Sequence, residues 1–323
     1  MKKTIKTQKF VAVLALILLY AFFSFFGANF FQYSTLISIF DSAYYIGFMA
    51  IGVTFVIITG GIDLSIGTVC ICCSLIGGVL LKKGAPMAVV LLVILLLGVL
   101  LGLANGLMVS IMGLPAFIAT LGTMMITRGF GSIVTGTASI TYPQGTDAGA
   151  WFHNIFKFKG EGLPGAGIPT GFILLIVLAV VMSIILNKTR PGRYILALGS
   201  NKEAARLSGV NVVKWETLAY IFSGFFAALA GISYAAVYST LMPGTGNGFE
   251  LDAIAGVVIG GTSLSGGMGS ISGTLIGVFI MAVLKTGLPF VGLQPHYQLF
   301  ITGFVLIGAV FADVLNRKKA ASV

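Results

Sequence analysis

The sequence predicts an all-α polytopic membrane protein of about ten transmembrane elements, including one short broken or re-entrant helix. Three observations carry this. Apolar residues make up 57% of the chain and its mean hydropathy is +1.05. Apolar runs of membrane-crossing length recur through most of it. Charged residues, only 9% of the total, gather where those runs end. A length of 323 residues would allow two soluble domains, but this composition makes residues 1–323 a single transmembrane domain. The net charge of +10 does not imply nucleic acid, because its cations sit where the orientation rule and the anionic inner leaflet place them.

The opening MKKTIKTQK carries four lysines before an apolar run from Phe10 to Gly27. No small-residue cleavage pattern interrupts Phe22, Phe23, Phe25 and Phe26, so this reads as a first span rather than a signal peptide. Ala43 to Thr59, then GGIDLSIG at Gly60 to Gly67, then an apolar run to Leu81 make roughly 38 residues where about 20 suffice for one span. Two elements therefore meet near Gly60 and Gly61. Met87 to Leu107 is a fourth span. Pro115 opens the fifth, Ala116 to about Gly136. Residues 137–170 read as an external loop, with an interfacial piece around Trp151, Phe152, His153 and Phe156. Gly171 to Leu186 is the sixth span.

Asn187 to Glu216 follows, with Lys188, Arg190, Arg193, Lys202, Arg206 and Lys214 against Glu203 and Glu216. Such a basic stretch between spans stays in the cytoplasm. Thr217 to Tyr238 is the seventh span. The turn Met242 to Gly248 leads into Glu250 to Gly267, too short to cross and ending in glycines, hence a broken or re-entrant helix. Ile271 to Leu288 and Tyr297 to Leu315 complete the set before Asn316-Arg317-Lys318-Lys319. An even number of crossings places both termini in the cytoplasm, with 13 cations inside. Lys82, Lys83, Lys157 and Lys159 lie outside, the Lys82-Lys83 pair being the one feature that opposes this orientation.

Small residues spaced by four mark close helix contacts in lipid. Gly98, Gly102 and Gly106 form one row, Gly269, Gly273 and Gly277 a second, Ser223, Ala227 and Gly231 a third. Cys70, Cys72 and Cys73 lie inside one apolar segment and read as buried thiols, with no metal site expected. An internal echo aligns IITGGIDLSIG (Ile57 to Gly67) with VVIGGTSLSGG (Val257 to Gly267) at an offset of 200. Transporters built from two related halves show such echoes, so an internal two-fold repeat is expected.

Nine acids occur in the whole chain, so each one near the membrane carries a hypothesis. Asp63 follows the glycine break and suits either capping of the next helix or lining of a polar pathway. Glu250 and Asp252 open the short segment and admit the same two readings. Arg128 lies within the fifth span and calls for an acidic partner. Asp41 and Lys285 read as ordinary interfacial residues. No HExxH, GxSxG or GxxxxGK[ST] pattern occurs, which leaves no hydrolase signature and no phosphate loop. ATP, if it drives the protein, must bind a separate subunit. Within the basic stretch, Asn201-Lys202-Glu203-Ala204-Ala205-Arg206-Leu207-Ser208-Gly209 predicts a short helix capped by Asn201 and ended by Gly209. On residues alone it serves equally as a topology anchor or as a docking element.

GGIDLSIG, PAFIATLGTM followed by Arg128-Gly129, GSNKEAARLSGV and ELDAIAGVVIGGTSLSGG resemble, in this order, the ribose-type sugar permeases of bacterial ABC importers. The resemblance covers nearly the whole chain. It implies a permease subunit of the bacterial inner membrane, paired with itself or a close homologue. It also implies a cytoplasmic ATPase that binds ATP and Mg, and an extracytoplasmic sugar-binding protein that delivers the ligand. By the same resemblance Asn201 to Gly209 is the segment that docks on the ATPase. Asp63, Leu64, Ser65, Glu250, Asp252, Gly260, Gly261, Thr262 and Ser263 fall in family motifs near the pathway. A proton-coupled carrier using Asp63, Glu250 or Asp252 is the alternative, and an intramembrane enzyme a distant third.

Overall fold

The computed structural model describes residues 2–159, 165–294, 297, 299–308 and 310–311. The helices in chain order are α1 (Lys2–Phe26), α2 (Tyr33–Ile58), α3 (Ile66–Lys82), α4 (Met87–Ser110), α5 (Ala116–Thr135), α6 (Gly171–Lys188), α7 (Arg190–Ser200), α8 (Lys202–Leu207), α9 (Val212–Tyr238), α10 (Phe249–Ile259), α11 (Ile271–Gly287) and α12 (Leu299–Gly308). Among the described residues, seven helices are long and apolar enough to cross a membrane, while α3 and α12 are shorter apolar pieces. Part of the expected span Tyr297–Leu315, and all of Asn316–Lys319, lie outside the described residues.

Helices α2 and α9 form the centre. Helix α4 lies along α9 because the predicted row meets a matching small-residue face. Gly98 abuts Gly224 and Ala228, Gly102 the Tyr220 carbonyl, and Gly106 Thr217. The second row works likewise, with Gly273 and Gly277 of α11 against Gly260 and Gly256 of α10. In the third row Gly231 lies on the Cys70 carbonyl of α3. Lipid tails offer no hydrophobic drive for such contacts, so close backbone approach and dispersion hold them.

Two sets of helices exchange partners in the packing, and the stretches aligned by the sequence echo do not hold matching places in that exchange. Helices α2, α3 and α4 match α9, α10 and α11 in order, each set being a long helix, an irregular stretch, a short helix and a further span. Helices α3 and α4 pack on α9, while α10 and α11 pack on α2. Residues 59–65 thus correspond to 239–248. The two GG-x-x-L-S-x-G stretches share a local device instead. Helix α2 closes with Gly60 at φ +85°, its N–H on the Ile57 carbonyl at 2.9 Å and the Gly61 N–H on Val56 at 3.1 Å. Helix α10 closes with Gly261 at φ +88°, its N–H on Val258 at 2.9 Å and the Thr262 N–H on Val257 at 3.2 Å. These are two copies of one left-handed glycine cap. Gly60 corresponds to Gly261, one residue out of step with the echo.

The basic stretch holds one more helix than expected. Residues Arg190–Ser200 form α7, entered through Pro191 and burying Gly192, Ile195 and Leu198. The periodic burial of these residues is a helical stripe, obscured in sequence by the surrounding charge. Helix α8 is as expected, its cap being the Asn201 Oδ1 accepting from the Ala204 N–H at 2.9 Å, with Gly209 left-handed at φ +80°. At the opposite end of the bundle, β1 (Ile140–Thr141) pairs antiparallel with β2 (Thr240–Leu241). There the Tyr142 hydroxyl donates to the Ser74 carbonyl at 2.6 Å, and Ala150–Ile155 form a short 3-10 helix.

Candidate functional site

Between α2 and α3 the chain runs non-helically through the packed interior, where each backbone polar group needs a partner. Thr120 of α5 donates to the Ile62 carbonyl at 3.2 Å. Asp63, 1% exposed, supplies the rest. Its Oδ1 accepts from the Ser65 N–H at 3.0 Å and the Ser65 hydroxyl at 2.6 Å, and its Oδ2 from the Ser223 hydroxyl of α9 at 2.7 Å. The network continues to α4 and α5. Asn105 Nδ2 donates to the Ser65 hydroxyl at 2.9 Å, and Thr123 donates to Asn105 Oδ1 at 2.5 Å. The residue at the N-cap of α3 is Ser65, so Asp63 folds the turn ahead of the helix rather than capping it directly. Asn105 and Thr123 were missed in sequence, where Asn105 is a lone polar residue in an apolar run and Thr123 one of several threonines on α5. Leu64 is half-buried against the core.

The second short helix begins against the first. Gly246 packs on the Gly67 carbonyl, and Glu250 lies on Gly67, so the two irregular stretches meet inside the bundle. The expected capping by Glu250 and Asp252 takes another form, since the N-cap of α10 is Gly248 with no side-chain cap. Glu250 Oε1 accepts from the Gly248 N–H at 3.3 Å, and its buried Oε2 has no hydrogen-bond partner. Asp252 pairs with Lys285 of α11 at 2.6 Å, and the ammonium lies over the Phe249 and Tyr45 rings. Lys285 and Asp41 are therefore more than interfacial residues, since Asp41 pairs with Lys157 at 2.8 Å. No hydrogen bond joins Asp63 to Glu250 or Asp252. Arg128 makes no salt bridge among the described residues. It is exposed on α5 and edges a small cleft with Thr68, Thr127 and Asn247.

Gly260, Gly261, Thr262 and Ser263 sit elsewhere, at the α7 end. Thr262 Oγ1 accepts from the Ser270 N–H at 3.3 Å, and the Ser263 N–H donates to the Met268 carbonyl at 3.1 Å. The Gly267 N–H donates to the Ile58 carbonyl at 2.9 Å, and Gly199 of α7 is wedged between that carbonyl and the Gly267 nitrogen. The end of α2 and the loop that follows the α10 cap thus converge on the end of α7. Helix α8 hangs from this junction. Lys202 pairs with Glu216 of α9 at 2.8 Å, and Tyr194 of α7 stacks on Trp215 with ring centroids 5.1 Å apart. The outer face of α8 carries the Glu203–Arg206 pair at 3.0 Å and Leu207, 85% exposed.

Comparison with known proteins gives this arrangement a context. Residues 35–310 match the family model described as branched-chain amino acid transport system / permease component. The chain is 37% identical over 310 residues to the ribose import permease protein RbsC of Escherichia coli (strain K12), covering 95% of this chain and 94% of the relative. It is 35% identical over 314 residues to the fructose import permease protein FrcC of Rhizobium meliloti, covering 96% and 85%. It is 33% identical over 305 residues to the autoinducer 2 import system permease protein LsrC of Yersinia pestis (strain Pestoides F), covering 94% and 83%. No solved structure matches the chain.

Proposed function

We propose, from the premise that this chain belongs to the branched-chain amino acid transport system / permease component family and is an ABC transporter permease for sugar import, that it forms the pathway for a ribose-like pentose or related monosaccharide. Alternating access driven by ATP hydrolysis in a separate subunit moves the sugar. The carrying observation is the α7–α8 unit. A short capped helix presents an exposed leucine and an exposed ion pair, while its inner side is fixed to α9 through Lys202–Glu216, and the adjoining end of α7 meets the end of α2 and the loop after α10 through Gly199 and Gly267. Asn201, Lys202, Glu203, Ala204, Ala205, Arg206, Leu207, Ser208 and Gly209 are the docking segment for a cytoplasmic ATPase that holds ATP and Mg. A displacement of α8 is passed to α9, to the end of α2 and to the loop after α10 together, tilting the two sets of helices about their contact at Gly67 and Gly246.

The protein is a multi-pass inner-membrane protein, and in this reading the α7–α8 end and both termini face the cytoplasm. The exposed Arg128 supports a second permease copy, identical or closely related. A guanidinium in mid-span is costly against lipid, so that face of α5 borders a hydrated pathway shared with the partner. Glu250, with its unpartnered Oε2, lies near the same cleft and is the acid best placed to meet cargo. Asp252, the Asp63-Leu64-Ser65 turn and Gly260 to Ser263 shape the pathway from behind. An extracytoplasmic binding protein supplies the affinity that a route with few charges does not.

The test is uptake into proteoliposomes containing this chain, with and without its ATPase and binding protein. Accumulation that requires both partners and ATP is expected. Accumulation by the chain alone down a proton gradient would establish a secondary carrier instead.

A further inference from the structure

A polar cavity lies away from the broken helices, at the end of the bundle opposite α7 and α8. It occupies about 550 Å³ between the turn at Gln144–Ala150, the 3-10 helix Ala150–Ile155 and the last turn of α9. That volume falls within the usual range for small-molecule sites, about 300–1,000 Å³. Its walls are held from beneath. Phe152 is fully buried. The ring of His153 is fixed at both nitrogens, Nδ1 on the Ala236 carbonyl at 2.5 Å and Nε2 on the Pro143 carbonyl at 2.6 Å. The Gln144 N–H is tied to Asp147 at 3.0 Å. Lys157 is held by Asp41 at 2.8 Å. What remains to face the cavity is the Trp151 indole, 52% exposed, with the side-chain amides of Gln144 and Asn154, one Asp147 oxygen and the Lys159 ammonium. Among the described residues none of these groups has a hydrogen-bond partner.

We propose that this cavity is a low-affinity binding site for a neutral monosaccharide at the outer mouth of the permease, separate from the pathway residues. The inference rests on the sugar-import reading above. An indole face covers the C–H face of a sugar ring. Two amides and a carboxylate oxygen offer donors and acceptors in the mixture that vicinal hydroxyls require. The charges argue against an anion, because Asp41 lies beside both lysines and Asp147 adds a second carboxylate to the lining. The chain contains two tryptophans, and the other, Trp215, lies at the far end beside Tyr194.

The full-length Trp215→Phe chain in nanodiscs therefore reports this cavity alone. Its emission is titrated with D-ribose, D-xylose, L-arabinose, D-galactose and D-fructose, with glycerol as the control for unstructured hydroxyls. A saturable, millimolar response to at least one sugar and none to glycerol is expected. Asn154→Leu should weaken it about tenfold, the effect of removing one hydrogen bond to the sugar. If Trp215→Phe does not fold, the difference in emission between the unaltered chain and Trp151→Phe provides the same reading. No saturable response to any of the five, or a response unchanged by Asn154→Leu, overturns the site. Uptake by the assembled transporter is measured in parallel. Import without a Trp151 response removes the site and leaves the importer, whereas saturable binding without import of any of these sugars keeps the site and removes the importer.

Discussion

Asp63 accepts three hydrogen bonds from three donors on two separate parts of the chain. Removing a carboxylate that buried donors face leaves each of them unpaired, at about 1–3 kcal/mol apiece. Asp63→Ala should therefore cost about 3 kcal/mol of stability in thermal unfolding of the detergent-purified chain. Asp63→Asn, which keeps one acceptor oxygen on Ser65, should cost about 1 kcal/mol. Equal losses for the two would show that the carboxylate does not hold the turn. The sequence marks Asp63 because an acid beside a glycine pair in an apolar run is conspicuous. It does not mark Asn105 or Thr123, and it marks Ser223 only as a small residue of a contact row, because their role comes from the helix packing that brings them to Asp63 and Ser65. The ion pairs Asp41–Lys157 and Asp252–Lys285 were illegible for the same reason. Their partners stand 116 and 33 residues apart.

The elements were legible where a physical requirement is local. Glycine rows name their own contact faces, and the α4–α9 and α10–α11 contacts follow from them. Gly102→Val pushes a branched side chain into the Tyr220 carbonyl, and should lower stability by about 3 kcal/mol, the upper range for overpacking. Gly303→Val, on α12 with no neighbouring atom within 4 Å, should stay within about 0.5 kcal/mol. Unfolding of both variants side by side checks the pair. A comparable loss at Gly303 would mean that helix propensity rather than packing sets the cost. Helix α8 was readable from Asn201 and Gly209, which terminate it whatever surrounds it. Helix α7 was not, because its stripe of Gly192, Ile195 and Leu198 is brief and flanked by arginines. The exposed Leu207 makes a separate prediction for α8. Leu207→Asp should weaken binding of the ATPase about thirtyfold without unfolding the permease, since burial of one leucine contributes roughly 2 kcal/mol. Co-purification at graded ATPase concentrations measures it, and unchanged binding would place the docking surface elsewhere.

At the scale of the molecule, hydropathy reveals a multi-pass helical protein but not how its halves exchange partners. The echo between residues 57–67 and 257–267 is a repeated helix terminus, while residues 59–65 and 239–248, stretches with no evident sequence likeness, each join a long helix to a shorter one. Local chemistry repeats where the same cap is needed, and overall symmetry survives in packing after the residues have diverged. The consequence is mechanical. The end of α2 and the loop after α10 touch α7, α8 is tied to α9, and the two irregular stretches meet at Gly67 and Gly246, so a push at one small helix reaches each moving part. The most direct measurement shuffles the order of Lys202–Leu207 while keeping Asn201 and Gly209, then follows sugar uptake and ATP turnover together in the reconstituted transporter. Uptake should fall to background, and ATP turnover should cease to rise with loaded binding protein. Both activities continuing at their original rates would contradict transmission through this helix.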